Sequence, residues 1–296
     1  MNVFAVVVTY NRLSCLRKVV DKLENQSSRI TKIVIVDNSS TDGTKEWLES
    51  LVADHFIVIR QENLGGAGGF HTGCKYAYEH GADWIWMMDD DIYPTDDCLE
   101  NLLSWTNFSE CIQAVRYTAD NKYVKSESFL YPKLYHVFSP TNYCSFKNGK
   151  KYVSVNVGCF EGMFISRRVV RLIGFPDSRF FIGGDDVVYG YLASFYTNPI
   201  FVSNAVMIRE RKSDVFPPVS PMYMYYQVRN EHIVEETICD IFPSRLDKMV
   251  RLLISLGRLF TLLILILYRY PNKYRYASAV IRGYKDRFLR KTGNTY

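Results

Sequence analysis

The sequence predicts an α/β protein: a mostly parallel β-sheet flanked by helices, followed by a basic, apolar helical extension at the C-terminal end. Short β-branched runs alternate with segments of helical periodicity over the first hundred residues. Such alternation with short connections is typical of parallel strands joined by right-handed crossovers. The length of 296 residues fits one large α/β unit with an appendage, or about two domains.

Four short apolar runs are the predicted strands of the first half of the sheet. Val3–Thr9 is continuously β-branched and apolar, which is typical of a strand buried on both faces. Lys32–Val36, Phe56–Arg60 and Trp84–Met88 have the same character. The fourth run leads directly into three aspartates.

Helical periodicity separates these runs. The apolar residues between Leu13 and Leu23 recur at helical spacing behind Asn11, which we expect to be the N-cap. Further helices are predicted at Thr44–Val52, at Gly69–His80 and after a cap at Thr95.

The second half of the chain is less regular. The stretch from about 105 to 155 is rich in Tyr, Ser, Asn and Lys, which favours irregular loops. Apolar runs resume at Met163–Ser166 and Ile200–Met207, with a predicted helix between them at Asp185–Phe195. We therefore expect one α/β domain over residues 1–244.

Basic charge is concentrated in residues 245–296, which hold 12 Lys or Arg and 2 Asp or Glu. The whole chain carries +5, so residues 1–244 carry a net charge of −5. Nucleic-acid binders spread basic charge over their binding face, so we expect no nucleic-acid partner. Residues 246–268 are strongly apolar between basic flanks, which favours a helix in the interface of an anionic membrane over a core helix. We expect 245–296 to be a membrane-associating helical tail.

The cysteines and the N-terminus indicate the compartment. Seven Cys residues without CxxC spacing favour a reducing compartment over a disulfide framework or a zinc ribbon. The first twelve residues lack a basic n-region and are predicted as a strand rather than a signal peptide. We expect a cytoplasmic protein, peripheral on the inner face of the cell membrane.

Three consecutive carboxylates, Asp89–Asp91, end the fourth predicted strand. Ligands of open α/β sheets bind at the carboxyl ends of the strands. A hard divalent cation, held by one or two carboxylates and by substrate phosphates, would relieve the repulsion within the triplet. Because alternate residues point to one side of an extended backbone, Asp89 and Asp91 can share an ion while Asp90 points away. A solvated acidic turn is the alternative.

Three further segments have both a functional and a structural interpretation. The glycine-rich turn Gly65–Gly69 opens a helix and can approach a phosphate or ribose, or can be a flexible loop. Asp37 ends the second strand, where it can accept from a base or ribose or close a capping turn. Asp185 and Asp186 follow an aromatic, glycine-bearing loop, and they suit a helix cap or a general base in a cleft.

Together these segments resemble glycosyltransferase family two, whose members have the Rossmann-like GT-A fold. The resemblance covers residues 3–235, and its segments are Val7–Arg12, Val36–Thr44, Asn63–Phe70, Asp89–Asp91, Phe180–Asp186 and Tyr225–Asn230. Within the family, the glycine-rich segment with an Asp triplet is most similar to bacterial galactofuranosyl- and rhamnosyltransferases.

The resemblance implies roles for individual residues. The residues implied to bind the nucleotide sugar are Thr9, Tyr10, Arg12, Asp37, Asn63, Gly65, Gly66, Asp89 and Asp90. Those implied to bind Mn²⁺ or Mg²⁺ are Asp89 and Asp91. Asp186 is the implied base with Asp185 beside it, and Phe160 and Glu161 lie in the segment that resembles the acceptor side.

One departure concerns the metal. Members of this group often carry a metal-binding His in a segment like Ala205–Glu210, and this chain has no His there. Glu210 is the candidate replacement, or Arg209 faces the diphosphate as a fixed charge.

The resemblance implies an inverting glycosyltransferase that acts on a lipid-linked or polysaccharide acceptor. Its expected donor is UDP-galactofuranose, with dTDP-rhamnose as the second choice. The alternative from another class is a non-catalytic nucleotide-sugar-binding protein on the same fold. The oligomeric state is open at this point.

Overall fold

The structure, a computed structural model, describes residues 1–124, 128–131, 137–140, 146, 149–212, 219–239 and 245–296. Within these ranges the strands are β1 Val3–Thr9, β2 Lys32–Asp37, β3 Phe56–Arg60, β4 Trp84–Asp89, β5 Ile92–Pro94, β6 Cys111–Thr118, β7 Ser128–Tyr131, β8 Val137–Pro140, β9 Tyr152–Ser154, β10 Met163–Ser166 and β11 Ile200–Arg209. The α-helices are α1 Leu13–Glu24, α2 Thr44–Glu49, α3 Gly65–Glu79, α4 Cys98–Leu103, α5 Arg167–Ile173, α6 Asp185–Ala193, α7 Pro221–Arg229, α8 Glu231–Val234, α9 Arg245–Arg269 and α10 Lys273–Phe288.

The described strands form a nine-stranded mixed sheet and a separate β7–β8 hairpin. The order in the sheet is β3-β2-β1-β4-β10-β6-β11-β5, with β9 paired to β11. Strands β1 to β4 are parallel, as the alternating pattern predicts, and β6 and β11 are parallel to each other. Strand β10 lies antiparallel between β4 and β6. The predicted α/β fold, a mostly parallel sheet flanked by helices, is confirmed.

Helices cover both faces of the sheet. In β1 alternate side chains enter two different cores, with Val3, Ala5 and Val7 on one face and Phe4, Val6 and Val8 on the other. The first core also contains buried residues of α1, α2 and α4, and the second contains residues of α3, α5 and α6. Burial on both faces explains why the strand sequences are continuous apolar runs.

The ends of several elements differ from the sequence-based expectations. Asn11 has a φ of 53° and Arg12 is the residue at the N-cap of α1, so the predicted Asn11 cap is wrong. Helix α3 begins four residues earlier than predicted, at Gly65. Thr95 donates to the Asp97 carboxylate, and Asp97 precedes α4.

The stretch predicted as irregular contains β6, whose eight residues are almost all buried in the middle of the sheet. Its polar residues explain why the sequence conceals it. Arg116 is buried in this strand and pairs with Glu161 at 3.0 Å, and Gln113 exchanges hydrogen bonds with the main chain of Cys159. Because β6 contains buried polar residues, it lacks the continuous apolar run that identifies the other strands in the sequence.

The C-terminal helices differ in how they pack. On α10, Asp286 accepts a hydrogen bond from the Tyr225 hydroxyl of α7 at 2.7 Å, and Tyr276, Val280 and Tyr284 are buried against α7 and α9. Helix α9 is mostly exposed, and it is the described helix that is long and apolar enough, by length and composition, to cross a membrane. The predicted division at 244/245 falls beside 240–244, outside the described residues, and stays a prediction.

A close backbone approach fixes α6 against the chain that precedes β10. A Cβ built on Gly190 would lie 1.9 Å from the nitrogen of Gly158 and 2.5 Å from the carbonyl carbon of Val157. Because backbone atoms cannot move aside, we expect Gly190→Ala to lower the free energy of unfolding by about 3 kcal/mol, measured by chemical denaturation.

The control is Gly257→Ala in α9, where an added Cβ meets nothing within 4 Å. That change should leave stability unchanged or raise it by about 1 kcal/mol, since alanine favours a helix. Equal effects of the two substitutions would contradict the close approach.

Candidate active site

A cavity of about 790 Å³ lies at the carboxyl end of β4. Its wall combines the end of β4, the start of α3, the segment 159–161, the start of α6 and parts of α7 to α9. The polar and charged residues of the wall are Arg12, Asp89, Asp91, Glu161, Asp185, Asp186, Arg209, Arg211, Tyr223, Gln227, Asn230, Glu231, Glu235, Ser255 and Arg258. The strand end, the acidic triplet and the acidic helix start therefore face one space.

Asp90 connects the acidic triplet to the end of β1. Its carboxylate is buried and accepts from the Thr9 hydroxyl at 2.7 Å, from the main chain of Tyr10 at 3.2 Å and from Arg12 at 2.9 Å. The same guanidinium group of Arg12 donates to Asp91 at 2.8 Å. Thr9, Tyr10 and Arg12 thus meet around Asp90, which points away from the cavity that Asp89 and Asp91 line.

Asp89 is the carboxylate of the triplet to which no described residue donates a hydrogen bond. Burial, followed by the neighbouring carboxylates of Asp91 and Glu161, raises the pKa of Asp89 well above its usual value. A crowded pair of carboxylates that faces a cavity is a donor set that suits a hard divalent cation. Asp89 and Asp91 therefore fit the group that the sequence implies.

Within the described part of the chain, no third protein ligand joins these two. Among the described residues, no group of three or more His, Cys, Asp or Glu side chains is arranged to hold a metal. The carboxylate of Glu210 pairs with Lys18 at 2.7 Å, and its main chain donates to the Asp91 carbonyl. The role of Glu210 as a ligand stays a prediction.

Glu161 is a carboxylate of the cavity whose charge is balanced by two arginines. Burial opposes its charge, but Arg116 and Arg209 more than compensate and hold the pKa of Glu161 below its usual value. Arg209 donates to the same oxygen through two nitrogens, at 3.1 and 2.5 Å. Beside it, the buried ring of Phe160 packs against Phe70 with centroids 4.5 Å apart.

Asp185 and Asp186 form the start of α6 and also line the cavity. Burial, with the adjacent carboxylate of Asp186, raises the pKa of Asp185 to about 8. Burial also raises the pKa of Asp186, whose carboxylate accepts from the main chain of Val187 at 2.8 Å. Two adjacent carboxyl groups with raised pKa values in a cavity are typical of a site that handles protons.

The loop before these acids is held by two side chains at the end of α7. Arg229 donates to the carbonyls of Arg179 at 3.0 Å and Phe180 at 2.9 Å. Asn230 donates to the carbonyls of Phe180, Ile182 and Gly183 at 2.9 to 3.2 Å. We call Arg229 and Asn230 the loop clamp. Arg229 also donates to two carbonyls beyond α10, those of Lys291 and Gly293.

Three residues predicted to bind the nucleotide, Asp37, Asn63 and Gly65, are not among the described residues that line the cavity. Asp37 is buried and accepts from Arg60 and from the main chain of Ser40. Asn63 accepts from the main chain of Gly65 at 3.0 Å. Gly65 has a φ of 72°, and a Cβ there would lie 2.0 Å from the Phe181 carbonyl oxygen. Gly66 lines the cavity itself, and no heavy atom lies within 4 Å of an added Cβ there.

Some wall residues were not predicted from the sequence. Tyr223 and Gln227 lie on the same face of α7, four residues apart, and only Gln227 falls within the segment Tyr225–Asn230 that the sequence singled out. Helix α9 contributes Ile254, Ser255 and Arg258 to the wall. Its apolar composition indicates its outer side and not these inner residues. Spacing by four residues in both helices is the signal that could have found them.

The arrangement can be compared with known proteins. The family model described as glycosyl transferase family 2 matches residues 4–174, which is more than half of the chain. The chain belongs to glycosyl transferase family 2. The matched residues include the acidic triplet, the glycine-rich start of α3 and the segment that carries Phe160 and Glu161.

A curated relative is galactofuranosyltransferase GlfT1 of Mycolicibacterium smegmatis, which is 28% identical over 189 residues. The aligned part is 62% of this chain and 63% of the relative, so the chain spans about three-fifths of that protein.

Two solved structures show that this family 2 chain has the GT-A type of fold. S. aureus TarS 1-349 in complex with UDP-GlcNAc has a TM-score of 0.60 at 15% identity, covering 98% of this chain and 84% of that one. The mannosyltransferase PcManGT from Pyrobaculum calidifontis, in complex with GDP-Man and Mn²⁺, has a TM-score of 0.55 at 16% identity, covering 97% and 87%.

The loop clamp gives a testable expectation for this family 2 protein. Arg229→Met keeps most of the side-chain volume but removes a donor from four main-chain carbonyls, of which those of Arg179 and Phe180 keep a second donor. Since each buried acceptor left unsatisfied costs about 1–3 kcal/mol, we expect the free energy of unfolding to fall by about 3 kcal/mol or more. Hydrogen exchange should also accelerate at the amides of residues 181–184.

Arg171→Met on the exposed side of α5 is the matched control, and it should change neither measurement. Unaltered exchange in residues 181–184 of Arg229→Met would show that the clamp does not hold the loop.

Proposed function

We propose that this protein is an inverting glycosyltransferase that transfers a sugar from a nucleoside diphosphate sugar to a hydroxyl of a glycan acceptor. One observation carries the proposal: Asp89, Asp91, Asp185 and Asp186 line one cavity. One cavity would therefore contain both the proton acceptor and the site for the diphosphate. UDP-galactofuranose is the first donor, in keeping with the name of the relative, and dTDP-rhamnose is the second.

Asp186 is the proposed general base. The acceptor oxygen forms a bond to the anomeric carbon while the bond from that carbon to the diphosphate oxygen breaks. The nucleoside diphosphate leaves with the bonding electrons, and the acceptor proton passes to the Asp186 carboxylate. A raised pKa suits this task because the carboxylate then holds the proton more strongly. Burial and the adjacent Asp186 carboxylate raise the pKa of Asp185 to about 8, which favours a protonated Asp185 beside the base.

The end of the cavity at β4 is proposed to receive the diphosphate. Asp89 and Asp91 would hold Mn²⁺ or Mg²⁺, which when bound neutralises charge on the diphosphate. Arg12, Arg209 and Arg211 line the same end and add fixed positive charge. Arg12 would orient Asp91 and Asp90, to which it is already hydrogen bonded.

The acceptor is proposed to be carried by a membrane lipid at the cytoplasmic face of the cell membrane. The outer side of α9 supports this, because it exposes a long apolar surface between basic segments. Lys273 and Arg275, which follow α9, are exposed and would meet anionic lipid headgroups. A polysaccharide acceptor is the alternative, and transfer to a water-soluble acceptor would favour it.

A non-catalytic nucleotide-sugar-binding protein is the rival function, and the missing metal-binding His favours it. Binding and turnover separate the two functions. Saturation-transfer NMR with UDP-galactofuranose and dTDP-rhamnose in Mn²⁺ should identify the donor, and release of UDP or dTDP with an octyl glycoside acceptor should follow. Binding without any release would support the rival.

The base gives the first expectation from this function. Asp186→Asn is nearly isosteric, so UDP should bind as it does to the wild type while kcat falls roughly 10²- to 10⁴-fold. Asp185→Asn is the matched control and should cost less, because the raised pKa of Asp185 favours its protonated form. If Asp186→Asn kept wild-type turnover while Asp185→Asn were inactive, the assignment of the base to Asp186 would be wrong.

The pH profile of the wild type tests the same assignment. Protonated Asp186 cannot accept a proton, so kcat/KM should fall as the pH falls through the Asp186 pKa. Because burial raises this pKa, the acid limb should lie above the ordinary aspartate value of about 3.9. An acid limb at or below that value would contradict the burial of the base.

The diphosphate end gives a second expectation. Asp91→Asn should weaken UDP binding in Mn²⁺ about tenfold or more, and EDTA should weaken binding to the wild type to the same degree. Asp96→Asn is the control, since Asp96 is exposed just before the start of α4 and pairs with Lys22. Calorimetry measures all three. UDP affinity that is identical with Mn²⁺ and with EDTA would exclude metal-assisted binding.

A further inference from the structure

The chain just before Asp185 and Asp186 makes a strained turn centred on Phe181. Phe181 has a φ of 66° and a ψ of −61°, and the Ile182 amide donates to the Phe180 carbonyl at 2.9 Å. A γ-turn with this geometry is the rare and strained form. Glycine would adopt the positive φ at little cost, so an aromatic residue at this position indicates a constraint that its surroundings impose.

The main chain of Phe181 holds the glycine-rich start of α3. Its carbonyl accepts at 3.2 Å from the Ala67 amide, which has no partner within the first turn of the helix. Gly65 permits this approach, because a Cβ there would lie 2.0 Å from the same carbonyl oxygen. Gly66 and Ala67 line the cavity. The strained turn is therefore hydrogen bonded to a part of the cavity wall.

The side chain of Phe181 joins the same turn to α7. Its ring is 7% exposed and stacks on the Tyr226 ring, with centroids 4.9 Å apart and ring planes inclined at 28°. The Tyr226 hydroxyl accepts from the amides of Thr295 and Tyr296 at 3.1 and 3.2 Å. It also donates to the Asn294 side chain at 3.2 Å. A ring that is itself fixed thus keeps Phe181 in its strained conformation.

We propose that Phe181 is a positioning residue that sets the spacing between the glycine-rich start of α3 and the Asp186 carboxylate. Phe181 is not among the described residues that line the cavity, so it acts through its neighbours and not on a substrate. A misplacement of about 1 Å can cost roughly 10²-fold in rate, so a rigid joint at this point favours transfer. This inference rests on the proposed function, and it adds the residue that sets the geometry between donor and base.

The test separates positioning by Phe181 from general stability. Phe181→Gly relieves the strain but removes the ring, and Phe181→Leu keeps an apolar side chain but removes the stacking. Phe181→Tyr keeps the ring and is the conservative variant. Asn121→Gly is the matched control, because Asn121 also has a positive φ, 59°, in an exposed turn outside the cavity wall. Circular dichroism checks that each variant is folded.

We expect Phe181→Gly and Phe181→Leu to lower kcat about tenfold or more while UDP affinity stays at the wild-type value. Phe181→Tyr and Asn121→Gly should keep both values. Release of UDP with the octyl glycoside acceptor gives kcat, and calorimetry in Mn²⁺ gives the affinity and the number of UDP sites. Loss of stability alone would lower kcat and the number of UDP sites together, so a fall in kcat alone identifies positioning.

Hydrogen exchange provides a second readout that does not need turnover. Bound UDP should protect the amides of residues 182–186 in the wild type, because Phe181 joins them to the start of α3. We expect Phe181→Gly to lose this protection and Asn121→Gly to keep it.

Two results would overturn the inference. One is wild-type kcat in both Phe181→Gly and Phe181→Leu. The other is equal protection of residues 182–186 by UDP in the wild type and in Phe181→Gly. The proposed function fails separately: a wild type that binds UDP but transfers no sugar rejects the function, and the exchange comparison then decides the inference alone. A wild type that does not bind UDP rejects both.

Discussion

The position of the candidate catalytic carboxylates depends on hydrogen bonds that α7 donates to main-chain carbonyls. Phe181, Gly183 and Gly184 all have positive φ, a backbone conformation that costs free energy, most of all for Phe181. Such a loop persists only when its surroundings hold it. The loop clamp does so from one side, and the close approach of Gly65 does so from the other. The acids that follow are thereby placed in the cavity rather than in solvent.

The cavity distinguishes two kinds of carboxylate by their neighbours. Glu161 lies between two arginines, and its ion pairs with Arg116 and Arg209 lower its pKa. Asp89 and Asp185 have no described ion pair of their own, and burial together with neighbouring carboxylates raises their pKa values. A charge that the protein already balances is structural, whereas one that it leaves unbalanced is available to a ligand or a proton.

The sequence predicts the first half of the sheet well because those strands are buried on both faces and are therefore uniformly apolar. It conceals β6, where Arg116 and Gln113 are buried with polar partners that only the tertiary structure supplies. The acidic residues of the site were predicted because they follow strand and helix boundaries. The loop clamp appears in the sequence only as part of a motif, since the carbonyls it binds carry no side-chain signal. Arg258 was hidden because composition describes α9 as a whole and not its two faces.

The hydrogen bonds from Arg229 to Lys291 and Gly293 have a consequence for the order of biosynthesis. These carbonyls leave the ribosome 62 and 64 residues after the arginine that binds them. The sheet can form earlier, because its strands end at Arg209. The nascent chain can thus complete its sheet while two carbonyl partners of Arg229 are still missing, and the loop before Asp185 gains its full set of contacts only late in translation. Premature termination in α10 would yield a chain that retains its sheet but lacks two carbonyl partners of Arg229.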